Sequence, residues 1–332
     1  MSSQIRTIFF LLMLNGILIC SILFVCIYDA SGTNNGNSDK MKYLLKGWNE
    51  NSQFFLFKSD QSHNKQTKRY LKKICELDKF RLEKLKQIDL KNGSPTELVE
   101  KFHEIIMDPY NMVCATKQRF GGKYRPSCKY TDGAKLVCMD DLLNDVHEEK
   151  CLIYSFGIAM EWGFEDIMDD IGCKVFAYDP TVNHPSKRGN NITFTRLGVS
   201  SHPNLAKGLD TLSSILQMNG HLKTKISYLK LDIEGDEISG LPKWLSSGAL
   251  DHVQQIALEF HLHKIGSTLV FFDTLKTLYE QGKYRLISYD VNGCYKNKSK
   301  SKDATYYGLA EIVLQKVSED YRWIEKDCSI YD

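Results

Sequence analysis

The sequence predicts an α/β fold: a Rossmann-like, doubly wound domain with a seven-stranded, mostly parallel sheet, preceded by an N-terminal transmembrane helix and a helical, cysteine-containing lead segment. Three observations predict it. From Cys151 onward, short apolar runs alternate with helix-length segments, which is the pattern of βαβ units. Residues 7–28 contain no charged side chain. Between these blocks lie basic, helix-periodic residues interspersed with cysteines. The organisation that follows is a tail (1–6), a transmembrane signal anchor (7–28), a flexible stem (29–63), a helical and loop-rich lead segment (64–150) and the α/β domain (151–332).

A helix rising about 1.5 Å per residue needs about 20 residues to cross a hydrocarbon core of about 30 Å. TIFFLLMLNGILICSILFVCIY (7–28) is long enough. A cleaved leader has a shorter apolar stretch, roughly 7–15 residues. The one tolerable small-residue cleavage pair, Ala30 and Gly32, lies beyond Asp29. Length therefore favours a retained anchor, with a cleaved leader and a secreted product as the alternative. Arg6 precedes the span while Lys40, Lys42 and Lys46 follow at a distance, so flanking charge barely orients it.

Other features favour type II topology, with everything after Asp29 facing the lumen of the endoplasmic reticulum or Golgi. Of the 10 cysteines, Cys20 and Cys26 fall in the span and leave an even set beyond it, with no Cys-x-x-Cys, which fits disulfides better than zinc. Sequons at Asn92, Asn191 and Asn297 add modest support. Lys and Arg number 43 against 41 Asp and Glu, a formal charge of +2, so nothing in the bulk composition points to nucleic acid.

After the polar stem SGTNNGNSDK (31–40), residues 64–87 place Tyr70, Leu71, Ile74, Leu77, Phe80, Leu82 and Leu85 near helical spacing, as expected of a basic helix with one packed side. Ser94-Pro95-Thr96-Glu97 has the form of a helix start. Residues 114–138 carry Gly pairs, Pro and Asp-Gly, and predict a loop-rich or hairpin unit stapled by cysteines. Strands are then expected at CLIYSF (151–156), KVFAYD (174–179), ITFTRL (192–197), SYLKLDI (227–233), VQQIALEF (253–260), YRLISYD (284–290) and YGLAEIVLQ (307–315). Helices are expected at 162–171, 209–217, 237–245 and 267–281. Cys151 and Cys173 begin neighbouring strands and are within range of pairing if geometry allows.

In such a sheet, ligands sit beyond the carboxyl ends of the strands, where strand order reverses. The first strand ends in Ser155-Phe156-Gly157, and Gly157 lets the backbone turn tightly against a ligand, although a glycine after a strand is often only a turn. The second ends in Asp179, whose two oxygens suit ribose hydroxyls or, in the plainer reading, start a turn before Pro180. No full Gly-x-Gly-x-x-Gly is present, which counts against a dinucleotide dehydrogenase. In LKLDIEGDE, Asp232 and Glu234 are expected on one side of an extended chain, as paired carboxylates in need of a cation, donor or substrate hydroxyl. A divalent cation between them is an open alternative. Asp236 and Glu237 read as helix-start caps. Glu259-Phe260-His261-Leu262-His263 supplies a possible base, with His261 foremost, against a structural or surface reading of both histidines.

CLIYSFGI, GCKVFAYDP, GLDTLSSIL and LKLDIEGDE together resemble FkbM-type class I S-adenosylmethionine-dependent methyltransferases, and in particular animal methyltransferase-like membrane proteins. RFGG (119–122) and DGAKLVC (132–138) extend the likeness, which covers roughly residues 114–314, and LKLDIEG is its most specific part. The resemblance implies S-adenosylmethionine as cofactor, with Tyr154, Ser155 and Gly157 around it and Gly157 under its methionine moiety. It places Asp179 on the ribose, and Asp232 and Glu234 between cofactor and acceptor. The expected activity is methylation of a hydroxyl on a glycan or small molecule, with Asp232 or Glu234 orienting the acceptor. Two positions depart from the pattern: Ser155 stands where many methyltransferases have an acidic residue, and Ala159 where a second glycine is common. A non-catalytic binding module therefore stays open, as does a type II glycosyltransferase, whose Asp-x-Asp metal site Asp232-Ile233-Glu234 only approximates.

Overall fold

The computed structural model describes residues 65–89, 92, 114, 116–261, 265–281, 284–292, 294, 296–298, 305–307, 309–317 and 328–331. The predicted span (7–28), the stem and the helix expected after Ser94 lie outside the described residues. Among the described residues no helix is long and apolar enough to cross a membrane.

The lead segment opens with α1 (Lys65–Gln87). It is fixed by a buried, bidentate ion pair in which the Arg285 guanidinium meets both Asp78 oxygens at 2.7 and 2.8 Å. A disulfide from Cys75 to Cys328 adds a covalent tie. Two antiparallel hairpin pairings follow, β1 (Lys117–Phe120) with β4 (Lys135–Cys138) and β2 (Lys123–Arg125) with β3 (Tyr130–Asp132). Cys114–Cys138 closes the first, and Cys128–Cys294 ties the second to the far end of the chain. Helix α2 (Met139–His147) then leads into the domain.

The main sheet contains β5 (Leu152–Phe156), β6 (Lys174–Tyr178), β7 (Lys187–Arg188), β8 (Ile192–Thr195), β11 (Tyr228–Leu231), β12 (Gln255–His261), β13 (Tyr284–Val291) and β16 (Leu309–Lys316). Their order is β13-β16-β12-β11-β5-β6-β8-β7. All seven expected strands are there. The sheet nevertheless has eight strands and is mixed rather than seven-stranded and mostly parallel. β8, β6, β5, β11 and β12 run parallel, whereas β16, β13 and β7 join antiparallel.

The physical reason for the antiparallel edge is the connection. A parallel return needs a crossover of a dozen or more residues, usually a helix. Between β13 and β16 the described residues carry only the short hairpin β14 (Lys296–Lys298) and β15 (Thr305–Tyr307). Chain order runs outward from β5 to β6 and β8 and returns to β11 on the other side, so strand order reverses between β5 and β11.

Helices α3 (Gly163–Asp170), α4 (Leu212–Met218), α5 (Asp236–Ser246) and α6 (Ile265–Glu280) alternate with the strands, and the short parallel pair β9 (Gly198–Ser200) and β10 (Leu209–Thr211) precedes α4. Thr211 caps α4 by accepting the Ser214 N–H at 3.2 Å. Strands covered on both faces read as continuous apolar runs. Accordingly Ile153, Phe156, Val175, Leu229, Leu231 and Leu258 are all at or near zero exposure. Cys151 and Cys173, just ahead of β5 and β6, form a disulfide with a Cα separation of 4.7 Å.

Candidate active site

Gly157 turns the chain out of β5 with φ +81°, a region open to glycine. Space is the stricter constraint, because a Cβ here would lie 1.7 Å from the Asp232 carbonyl oxygen. Two adjacent strand ends thus close on each other through a position that admits no side chain. The Gly157 N–H donates to the Tyr178 carbonyl at 2.9 Å, and the Asp232 N–H donates to the Phe156 carbonyl at 3.1 Å. Ala159 also sits at positive φ, +48°, in the place where a glycine is common. That conformation costs an L-residue about 1–2 kcal/mol. It is held by the Ala159 N–H, which donates to Asp179 Oδ2 at 2.8 Å.

Asp179 follows the end of β6 and is buried. Its Oδ1 accepts the Thr181 N–H at 2.8 Å and the Thr181 hydroxyl at 2.6 Å, while Oδ2 takes Ala159. Burial works to raise this carboxyl, but hydrogen bonds from Thr181, Ala159 and Ile158 outweigh it and hold it below the ordinary range. The expected ribose acceptor is therefore already a clamp joining the Gly157–Ala159 turn to the Pro180–Thr181 loop. Its capacity for further donors is nearly spent.

Ser155 and Tyr154 project to opposite sides of β5. Tyr154 has no exposure; its ring stacks with Phe176 at 5.3 Å and Tyr178 at 6.0 Å, and its hydroxyl pairs with His221 Nδ1 at 2.8 Å. It belongs to the aromatic core and is absent from the cavity wall. Ser155 is likewise fully buried and donates to Glu165 Oε1 of α3 at 2.6 Å. That oxygen also receives Lys230 Nζ at 3.2 Å, and Lys230 donates to the Gly157 carbonyl at 3.0 Å.

The third strand end differs from expectation. β11 stops at Leu231, and Glu234 has φ +59° in the turn before Gly235, so Asp232 and Glu234 do not share the face of an extended strand. Glu234 is exposed at the rim. The partners of Asp232 are instead Lys135 of β4 at 3.4 Å and Glu259 of β12, which is hydrogen-bonded to it. Lys135 also meets Glu311 of β16 at 2.5 Å. One fully buried ammonium therefore serves three carboxylates.

Burial acts to lower Lys135, but Glu311, Asp232 and Glu259 hold it above its ordinary value. Burial, reinforced by Asp232, pushes Glu259 up to about 8, and burial raises Glu311 despite Lys135. Glu237 is buried and accepts the Gly235 N–H at 3.0 Å, which makes it a cap of the turn into α5. His261 closes β12 opposite Leu309; its side chain lies outside the described residues. Cys114, Cys138 and Asp140 cluster closely, but the two sulfurs are bonded to each other.

Sequence reasoning gave no role to Lys135, Glu311, Lys230 or Glu165, and mentioned Glu259 only as a strand end. A signal for several of them existed. Lys230, Glu259 and Glu311 are charges flanked on both sides by apolar residues within their strands, and Lys135 opens a strand that is otherwise apolar.

These pieces surround a cavity of about 670 Å³ at the carboxyl ends of the parallel strands. Phe156, Gly157, Tyr178, Asp179, Lys230, Asp232, Glu234 and Glu259 line it from the sheet side, and Gly122, Lys123 and Arg125 from the lead hairpins. Gly122 is there for closeness, since a Cβ would lie 2.6 Å from the Ala134 nitrogen. The volume suits a small-molecule or cofactor site. The strand order and the cavity's place at the reversal define a doubly wound α/β ligand-binding domain.

A family model described as a methyltransferase domain matches residues 61–306, and the chain belongs to that family. The human protein named "Probable methyltransferase-like protein 24" is 30% identical over 171 residues, 45% of this chain and 46% of that protein. Its rat counterpart is 31% identical over 141 residues, 39% and 38% of the respective chains. The matched stretches thus span less than half the length of these relatives. A Streptococcus mutans protein described as a putative methyltransferase in complex with SAH shares 9% identity over 52% of this chain and 93% of its own, with a TM-score of 0.27.

Proposed function

We propose that the chain is an S-adenosylmethionine-dependent O-methyltransferase acting on a hydroxyl of a glycan or small molecule. We further propose that it works in the lumen of the secretory pathway, anchored by residues 7–28. The observation that carries the chemistry is the Asp232–Glu259 pair, facing the cavity beside the Gly157 turn and backed by the Lys135 ammonium. The topology, the chain's anchor-like segment and family membership support the rest.

The residues fit the cofactor. The cavity has the volume, Gly157 admits close approach, Tyr178 and Phe156 offer aromatic wall, and the Asp179 clamp fixes the loop on the ribose side. When bound, the cofactor supplies an electrophilic methyl group. The protein's task is to hold an acceptor oxygen in line and take its proton. Glu259, raised to about 8, keeps its proton at neutral pH and shares it with Asp232. Asp232, next to Lys135 and hydrogen-bonded to Glu259, supplies the oxygen that takes the acceptor's proton. Glu234 at the rim and Lys123 on the hairpin are placed to hydrogen-bond neighbouring hydroxyls of the acceptor. His261 is retained as the weaker base.

The test is transfer of a labelled methyl group by the full-length chain to sugars and small alcohols, with matched amines in parallel. Label on hydroxyl oxygen is expected. Label confined to amines, or no transfer to any acceptor, would overturn the reading; in the second case a non-catalytic binding role takes its place.

A further inference from the structure

The wall of the cavity at the Gly157 turn contains a cation, which is an awkward neighbour for a cationic ligand. Lys230 is 4% exposed, lines the cavity and grips the Gly157 carbonyl at 3.0 Å. Its counter-charge comes from outside the wall. Glu165, on α3, has no exposure, does not line the cavity, and meets Lys230 at 3.2 Å through Oε1. Ser155 donates to the same oxygen at 2.6 Å, fixing the carboxylate from the first strand. The other oxygen, Oε2, has no hydrogen-bond partner among the described residues.

A buried carboxylate with one oxygen unsatisfied carries a desolvation cost. Its position beside Lys230 turns that cost to a purpose: the lysine can hold the turn while its ammonium is paired with a carboxylate. A sulfonium carries a full positive charge, whereas the thioether left after methyl transfer carries none. An uncompensated ammonium in the wall would therefore penalise the methyl donor and leave the demethylated product untouched.

We propose that Glu165 is a positioning residue that sets cofactor specificity, by holding Lys230 on the Gly157 carbonyl and cancelling its charge so that the cationic donor is accepted. The proposal rests on the cofactor reading above. It assigns to the interior of α3 a carboxylate whose effect is felt at the end of β5, where the chain itself has Ser155.

The test is calorimetry of the full-length chain with S-adenosylmethionine and S-adenosylhomocysteine, reading the ratio of the two affinities. A change in structure alone weakens both ligands together and leaves the ratio unmoved. In Glu165→Gln the ratio is expected to fall roughly tenfold against the donor, as one unit charge acting through a protein interior would give. Adding Lys230→Met to that variant is expected to restore the wild-type ratio. If Glu165→Gln does not fold, Lys230→Met alone at pH 8 carries the test with the opposite sign, the ratio rising in favour of the donor. An unchanged ratio in the folded variant overturns the proposal while leaving the cofactor reading intact. Wild-type protein that binds neither ligand removes both.

Discussion

At the glycine turn the Lys230 ammonium is paired with Glu165 behind the wall, whereas around Asp232 three carboxylates gather on the Lys135 ammonium. Lys230 has Glu165, and Asp179 has the amides of Ala159 and Thr181. Lys135 faces Asp232, Glu259 and Glu311 together. The first end is arranged to be electrically quiet and rigid. The second gathers more carboxylates than ammonium groups, and in the proposed function it is the end that takes the acceptor's proton.

The most severe way to break this contrast is Lys135→Met, which strands three carboxylates without a cation. Removing one partner of a buried ion pair costs about 3–5 kcal/mol. Chemical denaturation at pH 7 is expected to show a loss of that order, and a loss below about 1 kcal/mol would mean the cluster is already neutral. Next in size is Asp232→Asn, which keeps the shape but removes the proton acceptor. Methyl transfer is expected to drop by about 10²-fold or more, with cofactor affinity changed only a few-fold; equal losses in both would place Asp232 on the cofactor side.

Glu259 gives a pH signature. Its folded value, about 8, lies above its ordinary 4.5. Between those values the native state holds a proton that the unfolded chain has released, so stability falls as pH rises through this window and is flat on either side. Glu259→Gln is expected to reduce the slope and to be more stable than wild type at pH 8 by on the order of 4 kcal/mol. Identical pH profiles for the two proteins would contradict the shared proton. The smallest effect belongs to Tyr154→Phe. It removes the hydrogen bond to His221 and is expected to lower stability by about 1 kcal/mol while leaving cofactor affinity unchanged, because Tyr154 packs in the core; a clear affinity loss would return it to the site.

The quiet end was the more legible of the two. Its residues sit at strand ends within short motifs, and strand ends in a doubly wound sheet meet at one place. Gly157 and Asp179 are at that place, although each is there for a reason that a linear reading does not reveal: one for the approach of the Asp232 carbonyl, the other as a clamp on Ala159 and Thr181. The reactive end was hidden because its members come from β4, β11, β12 and β16, which the fold alone brings together. Adjacency in sequence pointed to Asp232 with Glu234, but the chain leaves the extended conformation at Glu234 and Asp232 is hydrogen-bonded to Glu259. The mixed edge of the sheet goes with a connection between β13 and β16 that carries only a hairpin among the described residues. That connection was visible in the sequence as strands without a helix between them.

The most direct measurement is calorimetric titration of the full-length chain with S-adenosylmethionine and S-adenosylhomocysteine. A methyltransferase site built on the Gly157 turn predicts saturable, one-to-one binding of both, lost when Gly157→Val fills the space against Asp232 in a variant whose fold is intact by circular dichroism. Absence of binding to either compound by folded wild-type protein would contradict it.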